Sequence, residues 1–344
     1  MKKNIAIVWG GYSSEAEVSE KSAAGIYSFV DKDKYNVFRV KIDREAWFVE
    51  TGHTSATLSN RAPSLQRQTI DKNDFSFSHD GKKTKIDFVY NTIHGTPGED
   101  GTLQGYFDML QIPYSNCGVF ASALTFNKFA CNHFLKNFGI EVARSAHFFT
   151  GKPFDSKGII DYLGLPVFVK PNVGGSSFGI TKVKKIDEFE DAIYKALSEA
   201  PEVIVEQFIE GTEVTCGCFE TENGLTILPI TEVVTYNEFF DYNAKYNGEV
   251  DEITPARISE EIAEKIRTTT EKIYHLIGAK GIIRVDYIIS NDVPVLLEVN
   301  TTPGMTATSF IPQQVAAAGL CLTQVLSDII EYEYNKVHVQ TTKI

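Results

Sequence analysis

The feature that most constrains this chain is a pair of apolar runs near its C-terminal end, Ile282 to Ile289 and Val293 to Asn300, joined by Ser290-Asn291-Asp292. Side chains alternate across a strand, so Arg284 and Asp286 share one face, as do Glu298 and Asn300 on the partner. Ile283, Val285, Leu297 and Val299 are expected on the opposite face, against a core. Such a hairpin commits the chain to an antiparallel sheet with one buried face and one face that gathers a cation and three oxygen donors. Oxygen donors without His or Cys suit magnesium, which takes few carboxylates and completes its shell with nucleotide phosphates. A salt bridge across an exposed hairpin would give the same pattern. The small-residue turn Thr301-Thr302-Pro303-Gly304-Met305-Thr306 at the same end favours a site.

Residues 4 to 9 form a short apolar β run ending at Gly10-Gly11, and a helix from Glu15 to Val30 carries Val18, Ala23, Ile26, Tyr27 and Val30 at helical spacing. Strands at Tyr35 to Ile42 and Ile86 to Tyr90 complete an N-terminal α/β layer, a class that holds ligand groups at its strand ends. Residues 51 to 82 are polar and aperiodic and read as a variable excursion. From about residue 120 the pattern becomes α+β. A helix is expected through Ala121 to Phe138, then an antiparallel pair, Leu165 to Lys170 and Gly179 to Val183, around a glycine and serine loop. A helix over 187–199 opens on Asp187 and Glu190 in capping-box spacing. Strands at 202–207 and 213–219 and an amphipathic helix over 260–277 follow, with no internal repeat.

At 344 residues the chain has room for two or three compact units, and 43% apolar content supplies their cores. Its 33 basic and 45 acidic residues give −12, with no run of five like charges, which argues against nucleic-acid or anionic-membrane partners. No apolar run approaches a spanning helix, and Ile5 to Trp9 is too short for a signal-peptide core, so a cytoplasmic protein is expected. Five cysteines without Cys-x-x-Cys spacing indicate neither a disulfide framework nor structural zinc, and Cys216 and Cys218 read as reduced thiols on one strand face.

Two glycine loops invite a nucleotide reading and fail its usual forms. Lys170 to Gly179 offers bare amides and hydroxyls to phosphate oxygens but lacks the Gly-Lys-Ser/Thr ending of a P-loop and joins strand to strand. Gly10-Gly11-Tyr12-Ser13 lacks the dinucleotide spacing. His94 to Gly105 packs four glycines with His94, Glu99 and Asp100 into twelve positions; tight turns explain the glycines, not the ionisable groups.

Taken in order, these segments resemble the D-alanine-D-alanine ligases of the ATP-grasp superfamily. Gly10 to Ser19 is similar to the family's first signature and His94 to Gly105 to its second. Asn172 to Gly179, Tyr242-Asn243-Ala244-Lys245-Tyr246, Arg284-Val285-Asp286 and Glu298 to Thr306 complete the series, so that coverage runs from about residue 4 to 335. The resemblance implies an N-terminal α/β domain (1–120), a central domain (121–209) and a C-terminal domain (210–344), with ATP between the last two antiparallel sheets. It implies phosphorylation of one D-alanine's carboxylate by ATP, then attack by the amine of a second to give the peptidoglycan dipeptide.

By motif position, Glu15 would hold the first ammonium and Ser176 would link it to Tyr246. His94 would lie by the first D-alanine. Lys128, Lys170, Ser177 and Lys245 would meet ATP phosphates, with Glu206 at the adenine hinge and Glu213 on the ribose. Asp286, Glu298 and Asn300 would bind two magnesium ions, with manganese a possible substitute. Arg284 and the Gly304 amide would form the oxyanion site, and Ser309 with Phe310 would meet the second substrate's carboxylate. A homodimer is also implied.

The chemistry fits those roles, since phosphoryl transfer to a carboxylate brings two anions together and demands lysines, magnesium and an arginine. An acyl phosphate must be kept dry, and residues 231 to 255 are the expected lid. Val173-Gly174 stands where many members carry a charged pair, so contacts there are expected from the backbone or not at all. Phe310 stands where leucine is common. The rival readings are a D-alanine-D-lactate or D-alanine-D-serine ligase, which the Lys245-Tyr246 pair disfavours, and a non-catalytic ATP-binding regulator, which the intact Arg284, Asp286, Glu298 and Asn300 disfavour.

Overall fold

The computed structural model describes residues 2–51, 66–79, 81–175, 179–235 and 250–341. Its first part contains β1 (Lys3–Gly10), α1 (Ala16–Phe29), β2 (Tyr35–Ile42), β3 (Trp47–Thr51), β4 (Gln66–Thr69), the small hairpin β5 (Phe77–His79) and β6 (Lys82–Thr84), β7 (Phe88–Asn91) and α2 (Thr102–Met109). The sheet runs β4-β3-β2-β1-β7, with β1 parallel to β2 and β7. β1, flanked by β2 and β7, is buried on both sides from Ile5 to Val8, which explains a continuous apolar run rather than an alternating one. The described part of the 51–82 stretch is more regular than its composition suggests. It supplies β4 to the sheet edge and puts Phe75 and Phe77 into the core, because strands this short leave too few residues to display a period.

The expected helix over 121–138 is two helices, α3 (Val119–Phe126) and α4 (Lys128–Lys136). Asn127 between them is extended and caps α4, its side-chain oxygen accepting from the Ala130 amide at 2.9 Å. The break makes Lys128 the first residue of a helix.

A second sheet, ordered β10-β9-β11-β8, is antiparallel throughout and comprises β8 (Ser145–Phe149), β9 (Val167–Pro171), β10 (Thr181–Val183) and β11 (Glu202–Gln207). With α5 (Ser156–Leu163) and α6 (Phe189–Leu197) it encloses a core in which Phe189, Ile193 and Ala196 meet Val167, Val169, Val203 and Val205. The capping box at Asp187 does not form. A 3-10 turn over Ile186–Glu188 precedes α6, so Asp187 lies inside that turn and Glu188 takes the cap position.

The third sheet runs β15-β14-β12-β16-β17, with β13 (Gly224–Ile227) paired to β12. It comprises β12 (Thr212–Thr221), β14 (Thr231–Thr235), β15 (Val250–Ile253), β16 (Ile282–Ser290) and β17 (Val293–Asn300). α7 (Glu260–Leu276), capped by Ser259, buries Ala263, Ile266, Ile273 and Tyr274 on one side of it. Cys216 and Cys218 are free and fully buried there; burial pushes the Cys216 thiol up to about 12.

The chain ends in α8 (Phe310–Ala317) and α9 (Leu322–Thr341), whose Ile311, Val315, Val325, Leu326, Ile329 and Ile330 share one core with Ile5, Ile7, Phe88 and Tyr90. The last helix thus closes onto the first sheet. Among the described residues no single helix is long and apolar enough to cross a membrane, and α8 and α9, which pass only as a pair, meet at 105°.

Candidate active site

The β16–β17 hairpin pairs Arg284 with Asn300 and Asp286 with Glu298, as the period-two pattern requires. Asp286 is buried and accepts four hydrogen bonds. Its Oδ1 accepts from the Thr215 hydroxyl at 2.6 Å and Arg284 Nε at 2.8 Å; its Oδ2 accepts from Arg284 Nη2 at 2.8 Å and Asn300 Nδ2 at 3.0 Å. Burial alone would strip charge from Arg284, but the Asp286 carboxylate outweighs it and the guanidinium is held above its ordinary pKa. The guanidinium also lies 5.3 Å from the centre of the Phe310 ring.

Between Asp286 and Tyr287 the register slips, so that Leu296 rather than Leu297 faces Tyr287. The expectation for Leu297 therefore fails. The bulge turns Leu296 into the core and leaves Leu297 half-buried on the cavity wall.

That cavity, about 770 Å³, lies between the second and third sheets. Phe168 and Leu297 give it apolar walls, and Glu206, Glu213, Lys128 and Lys170 line it as well. Lys170 and Glu206 are buried together as an ion pair, and Asn132 donates to Glu206 at 3.1 Å. Lys128, at the start of α4, donates to the Gly174 carbonyl at 2.7 Å and lies 3.6 Å from Glu298. Gly174 thus meets this lysine through its backbone.

A second cavity, about 420 Å³, adjoins the first, and Glu15, Lys128, Arg284, Glu298 and Phe310 line both. Glu15 sits buried at the start of α1. Gly175 approaches it so closely that a Cβ there would lie 2.8 Å from its carboxylate, which lays the glycine loop over this acid. His94 is buried within 3.2 Å of the Ser22 hydroxyl, and burial lowers its pKa despite the pull of Glu15. Glu99 accepts from the Gly95 amide at 2.9 Å; burial, reinforced by Glu15, pushes its carboxyl up to about 7.

Gly304 and Ser309 line the other side, where Ser309 Oγ accepts from the Thr306 amide at 3.1 Å. α1 fixes this turn from behind: a Cβ on Gly25 would lie 2.2 Å from the Met305 carbonyl oxygen. Gln314 fixes α8 to β12, accepting from the Gly217 amide and donating to the Thr215 carbonyl, each at 3.0 Å.

Among the described residues no three His, Cys, Asp or Glu side chains are grouped to hold a metal. The hairpin offers two carboxylates and one amide, all oxygen-bearing: Asp286 lines the larger cavity, Asn300 the smaller, and Glu298 both. That donor set fits magnesium sharing its shell with phosphate, and does not fit zinc.

Ser176, Ser177, Lys245 and Tyr246 lie outside the described residues, and of the 231–255 segment the described part is β14 and residues 250–255. The remaining site residues read from the sequence line one or both cavities. Sequence reasoning gave no role to Glu99 or Glu252 and misplaced Leu297. The unexplained acids of the His94–Gly105 segment were the signal for the first; nothing local marks the other two.

The family described as D-ala D-ala ligase N-terminus matches residues 4–117, and that described as D-ala D-ala ligase C-terminus matches residues 134–331. A protein of Parabacteroides distasonis named D-alanine--D-alanine ligase is 60% identical over 334 residues, 97% of this chain and 98% of that one. The crystal structure of VanG D-Ala:D-Ser ligase from Enterococcus faecalis superposes with a TM-score of 0.80 at 32% identity, covering 97% of this chain and all of that one. The D-alanine--D-alanine ligase from Bacillus anthracis complexed with ATP gives 0.77 at 26% identity, covering 98% and 99%. Two antiparallel sheets behind an α/β layer, matched over nearly the whole length, are the ATP-grasp fold. The chain belongs to the D-alanine-D-alanine ligase family.

Proposed function

We propose that the chain joins two D-alanines into D-alanyl-D-alanine for peptidoglycan, using ATP and passing through a D-alanyl phosphate. The observation that carries the reading is the junction of the two cavities, where Arg284 and Glu298 of the hairpin stand across from Glu15 and Lys128. The larger cavity suits the nucleotide, with Glu206 at the adenine, Glu213 at the ribose and Lys128, Lys170, Lys245 and Ser177 at the phosphates. Asp286, Glu298 and Asn300 would hold magnesium, which would neutralise charge on the phosphates.

In the smaller cavity Glu15, with His94 beside it, holds the first D-alanine by its ammonium. Its carboxylate is thereby directed to the junction, where the lysines offset the repulsion between it and the γ-phosphate. Arg284 and the Gly304 amide stabilise the negative charge that develops on the substrate carboxyl oxygen. The second D-alanine, oriented by Ser309 and Phe310 through its carboxylate, first loses one ammonium proton to solvent; the amine attacks the acyl carbon, the C–N bond forms as the acyl C–O bond breaks, and the leaving phosphate takes the second proton from nitrogen. Ser176 and Tyr246 link the glycine loop to the 231–255 segment, which excludes water. The three-part division at residues 120 and 209, a cytoplasmic location and a homodimer belong to the same proposal; one main sheet lies in each part, while α3, α4, α8 and α9 pack across the divisions.

The acyl phosphate is testable by isotope. D-Alanine labelled with 18O in its carboxylate should deliver one label into each phosphate released. Unlabelled phosphate alongside dipeptide would exclude the intermediate.

A further inference from the structure

The smaller cavity holds more acid than its recognised roles use. Glu252, on β15, lines it on the side of Thr308, Ser309 and Phe310. Its Oε2 accepts from Gln313 Nε2 on α8, and the same Nε2 donates to the Thr308 carbonyl at 2.8 Å. The carboxylate is therefore fixed against the loop that carries Ser309, not left to sample solvent.

Charge balance on the cavity wall points to its partner. The acids are Glu15, Glu99, Glu252 and Glu298; the cations are Lys21, Lys128 and Arg284. Two of these cations are committed, Arg284 to Asp286 through two hydrogen bonds and Lys128 to Gly174 and Glu298. Burial pushes the Glu252 carboxyl above its ordinary range, against the Gln313 hydrogen bond and the field of Arg284. A cationic ligand beside it supplies what burial withholds. The reaction brings in two zwitterions, and Glu15 answers only one ammonium.

We propose that Glu252 is a specificity-determining residue of the acceptor side of this cavity, its carboxylate receiving the ammonium of the second amino acid and so favouring amino acids over 2-hydroxy acids. The proposal rests on the ligase reading above. D-Alanine and D-lactate share a carboxylate and a methyl group and differ at this one substituent, so the discrimination falls on whatever faces it. A charge-assisted hydrogen bond to the ammonium is worth about tenfold or more in affinity, and a hydroxyl cannot supply it.

The test uses the full chain with ATP, magnesium, D-alanine and an equal concentration of D-lactate, with products resolved by mass. Glu252→Gln should raise the KM for the acceptor D-alanine about tenfold. The share of D-alanyl-D-lactate should rise by a similar factor, with the KM for ATP within about twofold of the unsubstituted enzyme. Glu252→Asp should retain the original product ratio. Gln313→Leu removes the tie to α8 but keeps the carboxylate, and should retain it too. An unshifted ratio in Glu252→Gln overturns the inference, and so does an equal shift in Gln313→Leu, which would assign the effect to the tie alone. Absence of dipeptide from the unsubstituted enzyme overturns the ligase reading and this inference together, whereas an unshifted ratio overturns this inference alone.

Discussion

The two walls that meet at the cavity junction are built in opposite ways. On the hairpin wall both oxygens of Asp286 are taken by protein donors, and Arg284 is held charged by the carboxylate it grips. On the wall formed by the loops after β1 and β7, Glu15, His94 and Glu99 crowd together, with Glu99 pushed up to about 7 and His94 pushed down by burial. The Arg284 guanidinium of the first wall is set in place before any ligand arrives, as stabilisation of developing charge requires. The second is left electrostatically unbalanced, and an entering ammonium relieves it. Preorganisation for the transition state and recognition of the ground state are thus placed on different sheets.

The sharpest way to break this contrast is Arg284→Ala. Turnover should fall about 10²- to 10³-fold, the range for losing one oxyanion donor, while ATP affinity changes little. Steady-state turnover with equilibrium ATP binding decides it, and near-normal turnover would remove Arg284 from the mechanism. Gly25→Val attacks the brace behind the Gly304 turn. A side chain there meets the Met305 carbonyl rather than a flexible tip, so stability should fall by about 3 kcal/mol in urea unfolding. Wild-type stability would mean that α1 does not hold the turn.

Glu99→Gln probes the unbalanced wall. An acid whose folded pKa is raised from 4.5 to about 7 carries no penalty below the lower value, a growing one between the two and its full penalty above. Removing it should stabilise the ligand-free protein by about 2 kcal/mol above pH 7, with the gain vanishing near pH 4.5. Unfolding at pH 8 and pH 4.5 measures the difference, and a gain equal at both would deny that the acid is strained. The smallest expected effect is Thr215→Val, which removes one of four donors to Asp286 and should cost about 1 kcal/mol of stability, leaving the Arg284 geometry in place.

The hairpin wall was legible because strand periodicity is rigid: once Ser290-Asn291-Asp292 is recognised as the turn, Arg284 must face Asn300 and Asp286 must face Glu298. Leu297 escaped because one inserted residue reverses the alternation, and no local signal announces a bulge. On the other wall Glu15 and His94 came from resemblance and not from pattern, and Glu99 was given no role, since Glu15 and Glu99 lie 84 positions apart and meet only through folding. Glu252 was invisible for the same reason: its environment is Gln313, some 60 residues on, placed by α8. The split at Asn127 rested on one capping side chain within an otherwise helical stretch.

The most direct measurement is phosphate release with ATP and magnesium, first with D-alanine alone and then with D-lactate or D-serine added, each product identified by mass. The ligase assignment predicts D-alanyl-D-alanine from D-alanine alone, with one phosphate per dipeptide. Release that begins only when another acceptor is present, or none with any acceptor, would contradict it.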